Sequence, residues 1–247
     1  MSKPMLAFEI EAPSFLSYLF KGACAESRSE EEFLGEAKLV SRYSDLIRIS
    51  EALPEQPYLS SLTSLGILRR ARLDDVKTMC SIRATEMNLN ALIQHIGEAL
   101  LYRCDYLVLE GSFEEGRDLS RVIEAFTALK NLGLTDYIKI GLEVYARNRA
   151  LVDVCVKADP SFLNLRILDM DEIEEDLWKD LAAPFPLFIR LPMFDLTGLG
   201  LMSSKAIEVV SDAVSKILSD GFNVMIAAPH GFEEAFAVLK RVRGEVL

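Results

Sequence analysis

The chain has 247 residues, 38 of them acidic and 27 basic, for a formal charge of -11. That balance argues against nucleic acid as a partner, and no apolar run approaches the roughly 20 residues that a membrane-spanning helix needs. The length suits a single α/β domain over residues 1–247, built around one large core.

The first apolar run, MLAFEIE from Met5, alternates: Leu6, Phe8 and Ile10 share one face, Ala7, Glu9 and Glu11 the other. The acidic stretch Glu30 to Glu32 then opens a helix predicted to run to Tyr43, its carboxylates at the positive end of the helix dipole. DLIRIS from Asp45, VKTMCSI from Val76 and DYLVLEG from Asp105 are the next strands, with a helix over Leu89 to Tyr102 between the last two.

A helix over Leu119 to Leu132 leads to YIKIGLEVY from Tyr137, then FLNLRIL from Phe162. Met170 to Leu181 reads as a solvated helix with Ile173, Leu177 and Leu181 facing inward. PLFIRLP from Pro186, a helix over Ser203 to Leu218, NVMIAAP from Asn223 and a helix over Gly231 to Val242 complete the chain. Loops are expected at Gly22 to Arg28, Pro54 to Tyr58, Ser112 to Gly116 and Phe194 to Gly200.

Eight strand-plus-helix units predict a single-domain (β/α)8 TIM barrel. A doubly wound open sheet uses the same alphabet, but eight units without an extra domain favour closure. Cysteines 24, 80, 104 and 155 form no CxxC pair, and nothing ahead of the first strand resembles a secretory signal. Free, buried thiols in a reducing cytoplasm are the expectation.

Strand alternation aims charged side chains at the barrel axis. Besides Glu9 and Glu11 these are Arg48 and Ser50, Ser81 and Arg83, Lys139, Gly141, Glu143 and Tyr145, then Asn164, Arg166 and Arg190. The fourth strand is ambiguous, but Glu110 reaches the mouth on either parity. The carboxyl-end rim, where barrels of this kind assemble their sites, collects Glu9, Glu11, Ser50, Arg83, Glu110, Ser112, Glu143, Tyr145, Arg166, Arg190 and His230.

The blander reading makes Glu9, Glu11, Arg48, Lys139, Glu143, Arg166 and Arg190 an ion-pair plug, since unpaired charges in a lumen are costly. His95 reads as an ordinary helix residue, and no His, Cys and carboxylate cluster has metal-ligand spacing. Neither a nucleophile elbow nor a GxGxxG motif is present, and GLG at Gly198 to Gly200 is a weak phosphate signal. Lys77 and Lys139 raise Schiff-base chemistry, against the alternative of ion-pair partners.

AFEIEAP at the first strand resembles the FEFFPP opening of the methylenetetrahydrofolate reductase family, whose acidic residue falls on Glu9. SDLIRISEALPEQPYLSSLTSLGIL resembles the family's second strand and following helix, with Ser50 at its threonine. SIRATEMNLNALIQHIGEALLYRCDYLVLEGS is similar to the segment ending in its glycine-aspartate pair, here Gly111 and Ser112. GLEVYARN places the family's tyrosine on Tyr145.

The resemblance implies FAD across the strand ends, bordered by Ser50, Gly111, Ser112 and Tyr145, reduced by a nicotinamide or another donor. Hydride would pass to a reduced folate or related pterin, with Glu9 as the acid. Glu11, Arg83, Glu143, Arg166, Arg190 and His230 would bind substrate. Two further readings stand beside it: a flavin-free accessory barrel binding a pterin or a protein partner, and a lysine-dependent barrel lyase or aldolase.

Overall fold

The computed structural model describes residues 3–14, 29–50, 59–111, 119–168, 172, 178–179, 184–192, 203–227 and 232–245. Eight parallel strands close in sequence order: β1 (Leu6–Glu11), β2 (Leu46–Ser50), β3 (Lys77–Arg83), β4 (Tyr106–Glu110), β5 (Lys139–Tyr145), β6 (Phe162–Arg166), β7 (Leu187–Pro192) and β8 (Asn223–Ala227). Closure comes from pairing β8 with β1, Ala7 against Met225 and Glu9 against Ala227. The single-domain TIM barrel expected from the strand count is therefore the fold.

Seven α-helices among the described residues surround the strands: α1 (Glu30–Val40), α2 (Ser61–Arg70), α3 (Leu89–Leu101), α4 (Leu119–Asn131), α5 (Arg149–Ala158), α6 (Ser203–Ser219) and α7 (Phe232–Val242). Their starts are written locally. Ser29 and Glu32 form a reciprocal capping box on α1, and Ser60, Asn88 and Asn148 cap α2, α3 and α5 by accepting from Thr63, Ala91 and Leu151 N–H groups. None is long and apolar enough to cross a membrane among the described residues.

A recurring clamp sets the strand starts. The Oδ2 of Asp45, just ahead of β2, accepts from Leu6 N–H at 2.8 Å, and that of Asp105, ahead of β4, from Thr78 N–H at 2.8 Å. Ser161 Oγ does the same for Ile140 at 3.3 Å, and Asn223 Oδ1 for Met5 at 2.9 Å. Each satisfies a backbone donor that would otherwise lie unpaired at the barrel floor.

Two apolar cores result. Leu6, Phe8 and Ile10 of β1, with Ile47, Ile49, Leu107, Leu109 and their counterparts, pack outward against the helices. The opposite parity makes a separate cluster inside the lumen: Ala7, Leu46, Met79, Tyr106, Val108, Phe162, Phe188 and Met225. Tyr106, Phe162 and Phe188 meet edge to face in a triangle, with centroids 5.5 to 5.9 Å apart. Gly141 makes room for it, because a Cβ there would lie 2.4 Å from the Phe162 ring.

One expectation needs amending. The predicted helix from Met170 to Leu181 lies mostly outside the described residues, but Glu172, read as solvated, is buried and its Oε2 accepts from Leu168 N–H at 2.9 Å. Cys80, Cys104 and Cys155 are buried and form no disulfide among the described residues, and Cys24 lies outside them.

Candidate functional site

Above the apolar floor the lumen becomes charged. Inward parity on β1, β2, β4, β5, β6 and β7 brings Glu9, Arg48, Glu110, Glu143, Arg166 and Arg190 together toward the carboxyl ends. Register explains the meeting: Glu9 lies beside Arg48, and Arg166 beside both Tyr145 and Arg190. Because Tyr106 and Val108 belong to the lumen cluster, the parity of β4 is settled, and Glu110 points inward.

Arg48 is the hub and is 1% exposed. Its Nη1 donates to Glu143 Oε2 at 2.7 Å, its Nη2 forms a close ion pair with Glu110 Oε1, and its Nε lies 3.5 Å from Glu9 Oε2. Ser81 Oγ accepts from Nε and Nη2 at 3.3 Å. Met225 Sδ, 3.5 Å from Nη1, marks the boundary with the apolar floor.

Arg190 grips Glu9 in a bidentate pair, Nε and Nη2 each donating at 2.6 Å. Glu143 has a second donor in Asn164 Nδ2 at 2.5 Å, and its Oε1 lies 3.9 Å from Arg166 Nη1. Arg166 in turn sits over the Tyr145 ring, 5.3 Å from its centroid.

These surroundings push the three buried carboxyls apart. Burial alone would raise Glu9, but Arg190 and Arg48 outweigh it and hold the group down at about 2. Glu143 is likewise lowered against its burial by Arg48, Arg190 and Arg166. Glu110 goes the other way: burial and the neighbouring Glu143 charge raise it, and Arg48, already shared with two other carboxylates, does not compensate. Glu110 is thus the member of the cluster whose proton is held most firmly.

The remaining expected residues fall into place unevenly. Ser50 is buried at the end of β2 in register with Glu11, and Gly111 follows β4, partly exposed. Arg83 is opposite Glu110 in register but pairs with Glu86 at 3.5 Å. Ser112 and His230 lie outside the described residues. His95 is on α3 beside Glu98, 3.2 Å away, as an ordinary helix residue.

Lys77 and Lys139 are the first residues of β3 and β5 and are exposed at the amino-terminal ends of the strands. Lys139 packs under the Tyr106 ring, with Nζ 4.8 Å from its centroid. The apolar floor separates it from the charged mouth, so the lysine route to a barrel lyase has no support in the geometry.

Arg48, Glu110 and Asn164 carry more of this site than the motif residues do. All were legible as inward or rim positions, but no motif marked them. Among the described residues no group of His, Cys, Asp and Glu could hold a metal ion.

No family model matches the chain, and no curated protein does. Solved structures do. The chain is similar to one chain of a tryptophan synthase complex from Pyrococcus furiosus, with 9% identity, a TM-score of 0.63, and 99% of this chain and 100% of the other covered. A mutant tryptophan synthase alpha-subunit from the same organism gives 12%, 0.60, and the same 99% and 100%. Dihydropteroate synthase from Yersinia pestis gives 13%, 0.57, and 98% and 93%.

At such identities the likeness establishes the fold alone. The comparisons together overturn the expectation of a methylenetetrahydrofolate reductase, and with it a flavin-mediated hydride transfer: no family model supports that family, and the structures the chain resembles are barrels of other kinds. Strings such as AFEIEAP and GLEVYARN meet a requirement common to barrels, an apolar outward face with polar residues at the carboxyl end, and so do not discriminate among them. FAD is implied by that resemblance alone, and no step is assigned to it.

Proposed function

We propose that the chain is a barrel lyase in the broad sense, making or breaking a bond by acid–base chemistry at the carboxyl ends of its strands, with Glu110 as the proton carrier. One observation carries this reading: Glu110 is a buried carboxyl with a raised pKa, beside two carboxylates held ionised. Titratable neighbours driven apart in this way are the arrangement that acid–base catalysis needs.

The acid role passes from Glu9 to Glu110, because a carboxyl held at about 2 carries no proton to give at neutral pH. Glu9 instead holds Arg190, and Glu143 holds Arg48, so the two ionised carboxylates position guanidinium groups around the proton carrier. A non-redox bond-forming role agrees with the kinds of barrel that the fold resembles. A reduced pterin belongs in the substrate panel because a dihydropteroate synthase is among those structures.

Difference infrared spectroscopy of wild type against Glu110→Gln tests the carrying observation without a known substrate. The protonated-carboxyl band of Glu110 should persist well above pH 4.5 and be absent in the variant. Once a turnover is found in the panel, the variant should lose about 10²- to 10⁴-fold in kcat. A Glu110 ionised throughout the neutral range, or a variant with wild-type turnover, removes the reading.

A further inference from the structure

At the β6–β7 side of the mouth two like charges stand side by side. Arg166 and Arg190 are register partners on adjacent strands, an arrangement that repels unless an anion lies between or over them. Three guanidinium groups, those of Arg48, Arg166 and Arg190, face the carboxyls of Glu9, Glu110 and Glu143.

The hydrogen-bond inventory points to the same place. Arg190 is 8% exposed and gives two of its nitrogens to Glu9, while its buried Nη1 has no acceptor among the described residues. Arg166 Nη1 lies 3.9 Å from Glu143 Oε1, beyond hydrogen-bond range, and its buried Nε also lacks an acceptor among the described residues. Asn164, fully buried, spends an amide N–H on Glu143 and leaves Oδ1 without a donor among the described residues.

Buried donors on charged groups are costly to leave unmade. A network whose open valences are two guanidinium N–H groups and one amide oxygen, on neighbouring strands, is built for a ligand of complementary pattern.

We infer that Arg166 and Arg190 form an oxyanion subsite that binds the carboxylate or phosphate group of a small substrate, with Asn164 Oδ1 accepting from a hydroxyl or N–H beside that group. That the anion belongs to the substrate rests on the lyase reading; that the subsite binds oxyanions does not. Tyr145 is a positioning residue, holding the Arg166 guanidinium by its ring face.

The test is calorimetric titration of the full chain with inorganic phosphate and, separately, with acetate and malonate. Wild type should bind phosphate or a carboxylate in the low-millimolar range or tighter, and the stronger probe tells which oxyanion the subsite prefers. Arg166→Gln should weaken that binding by at least about tenfold, as expected for the loss of a charge-assisted donor. Arg166→Lys, which keeps the charge but not the fork, should fall between. Lys139→Gln, at the opposite end of the barrel, should bind as wild type does.

Wild type that takes up neither phosphate nor carboxylates, or Arg166→Gln and Arg166→Lys that bind as tightly as wild type, overturns the subsite. Because binding is read without turnover, its outcome is separable from that of Glu110→Gln. Arg166-dependent binding beside an active Glu110→Gln enzyme would leave the subsite standing and remove the lyase reading.

Discussion

Glu9→Gln tests the electrostatic account of the lumen most directly. The substitution keeps the side-chain shape but takes the negative charge from Arg190, and the new amide faces one guanidinium N–H with an N–H of its own. The Glu9 carboxyl is displaced from 4.5 to about 2 on folding, which at ~1.4 kcal/mol per tenfold is worth about 3 kcal/mol at neutral pH. Breaking a buried ion pair by removing one partner costs a similar ~3–5 kcal/mol. A carboxyl whose folded pKa is depressed contributes stability above its unfolded pKa and loses it as pH falls through the folded one. The Glu9 contribution should therefore be full above about pH 5.5 and fall to about 1.4 kcal/mol at pH 3. In urea unfolding followed by circular dichroism, Glu9→Gln should be about 3 kcal/mol less stable than wild type at pH 7, with a melting point roughly 6–12 °C lower. The gap should narrow steadily between pH 5 and pH 3. A gap under ~1 kcal/mol at pH 7, or one that does not change on acidification, would refute the assignment of Glu9 as an ionised partner of Arg190.

The other carboxyl should behave in the opposite sense. A raised folded pKa costs stability as pH climbs above the unfolded value, so in urea titrations at pH 7 Glu110→Gln should be at least as stable as wild type, unlike Glu9→Gln. Gly141→Ala drives a Cβ into the Phe162 ring, and should cost about 1–3 kcal/mol by overpacking, much of it recovered in the double variant with Phe162→Leu as read by melting points. Borohydride added with carbonyl substrates should leave Lys77 and Lys139 unmodified by peptide mass spectrometry, because both lie at the amino-terminal ends of their strands. Burial pushes the Cys155 thiol up to about 12, so iodoacetamide at pH 8 should label it in urea and not in the native protein.

Alternation along each strand was enough to choose the lumen-facing set on six strands, because their outward faces are largely apolar: Leu6, Phe8 and Ile10 on β1, Leu163 and Leu165 on β6. The exception was YLVLE in β4, where Tyr106 and Val108 face a lumen floor as apolar as the helix layer, so composition does not separate the two faces. Height along the strand was harder to read. Lys139 and Glu143 share a face of β5, but one opens the strand below the floor and the other stands in the charged layer. The pairing was not legible at all, since Glu9 and Arg190 are 181 residues apart in sequence and meet only through closure of the barrel. Glu172 was misread for a related reason: an acidic run looks solvated unless the backbone N–H that it caps is known.

Why the proton goes to Glu110 follows from the way the barrel divides its cations. Arg190 commits both nitrogens of one edge to Glu9, and Asn164 adds a neutral donor to Glu143, so each of those carboxylates has a partner besides Arg48. Among the described residues Glu110 is paired only with its share of Arg48, and the Arg83 that register sets beside it pairs with Glu86. Its burial and the charge on Glu143 then outweigh the divided Arg48 and the Arg190 charge committed to Glu9, and the protonated form gains. The proton affinity of this residue is thus a property of the closed ring of strands: β1 and β7 occupy one guanidinium, β5 and β6 stabilise a competing charge, and β4 is left with the carboxyl that can exchange a proton. Filling the Arg166–Arg190 subsite with an anion would add one more negative charge to that balance and raise Glu110 further, so the group that binds substrate and the group that moves the proton are electrostatically linked.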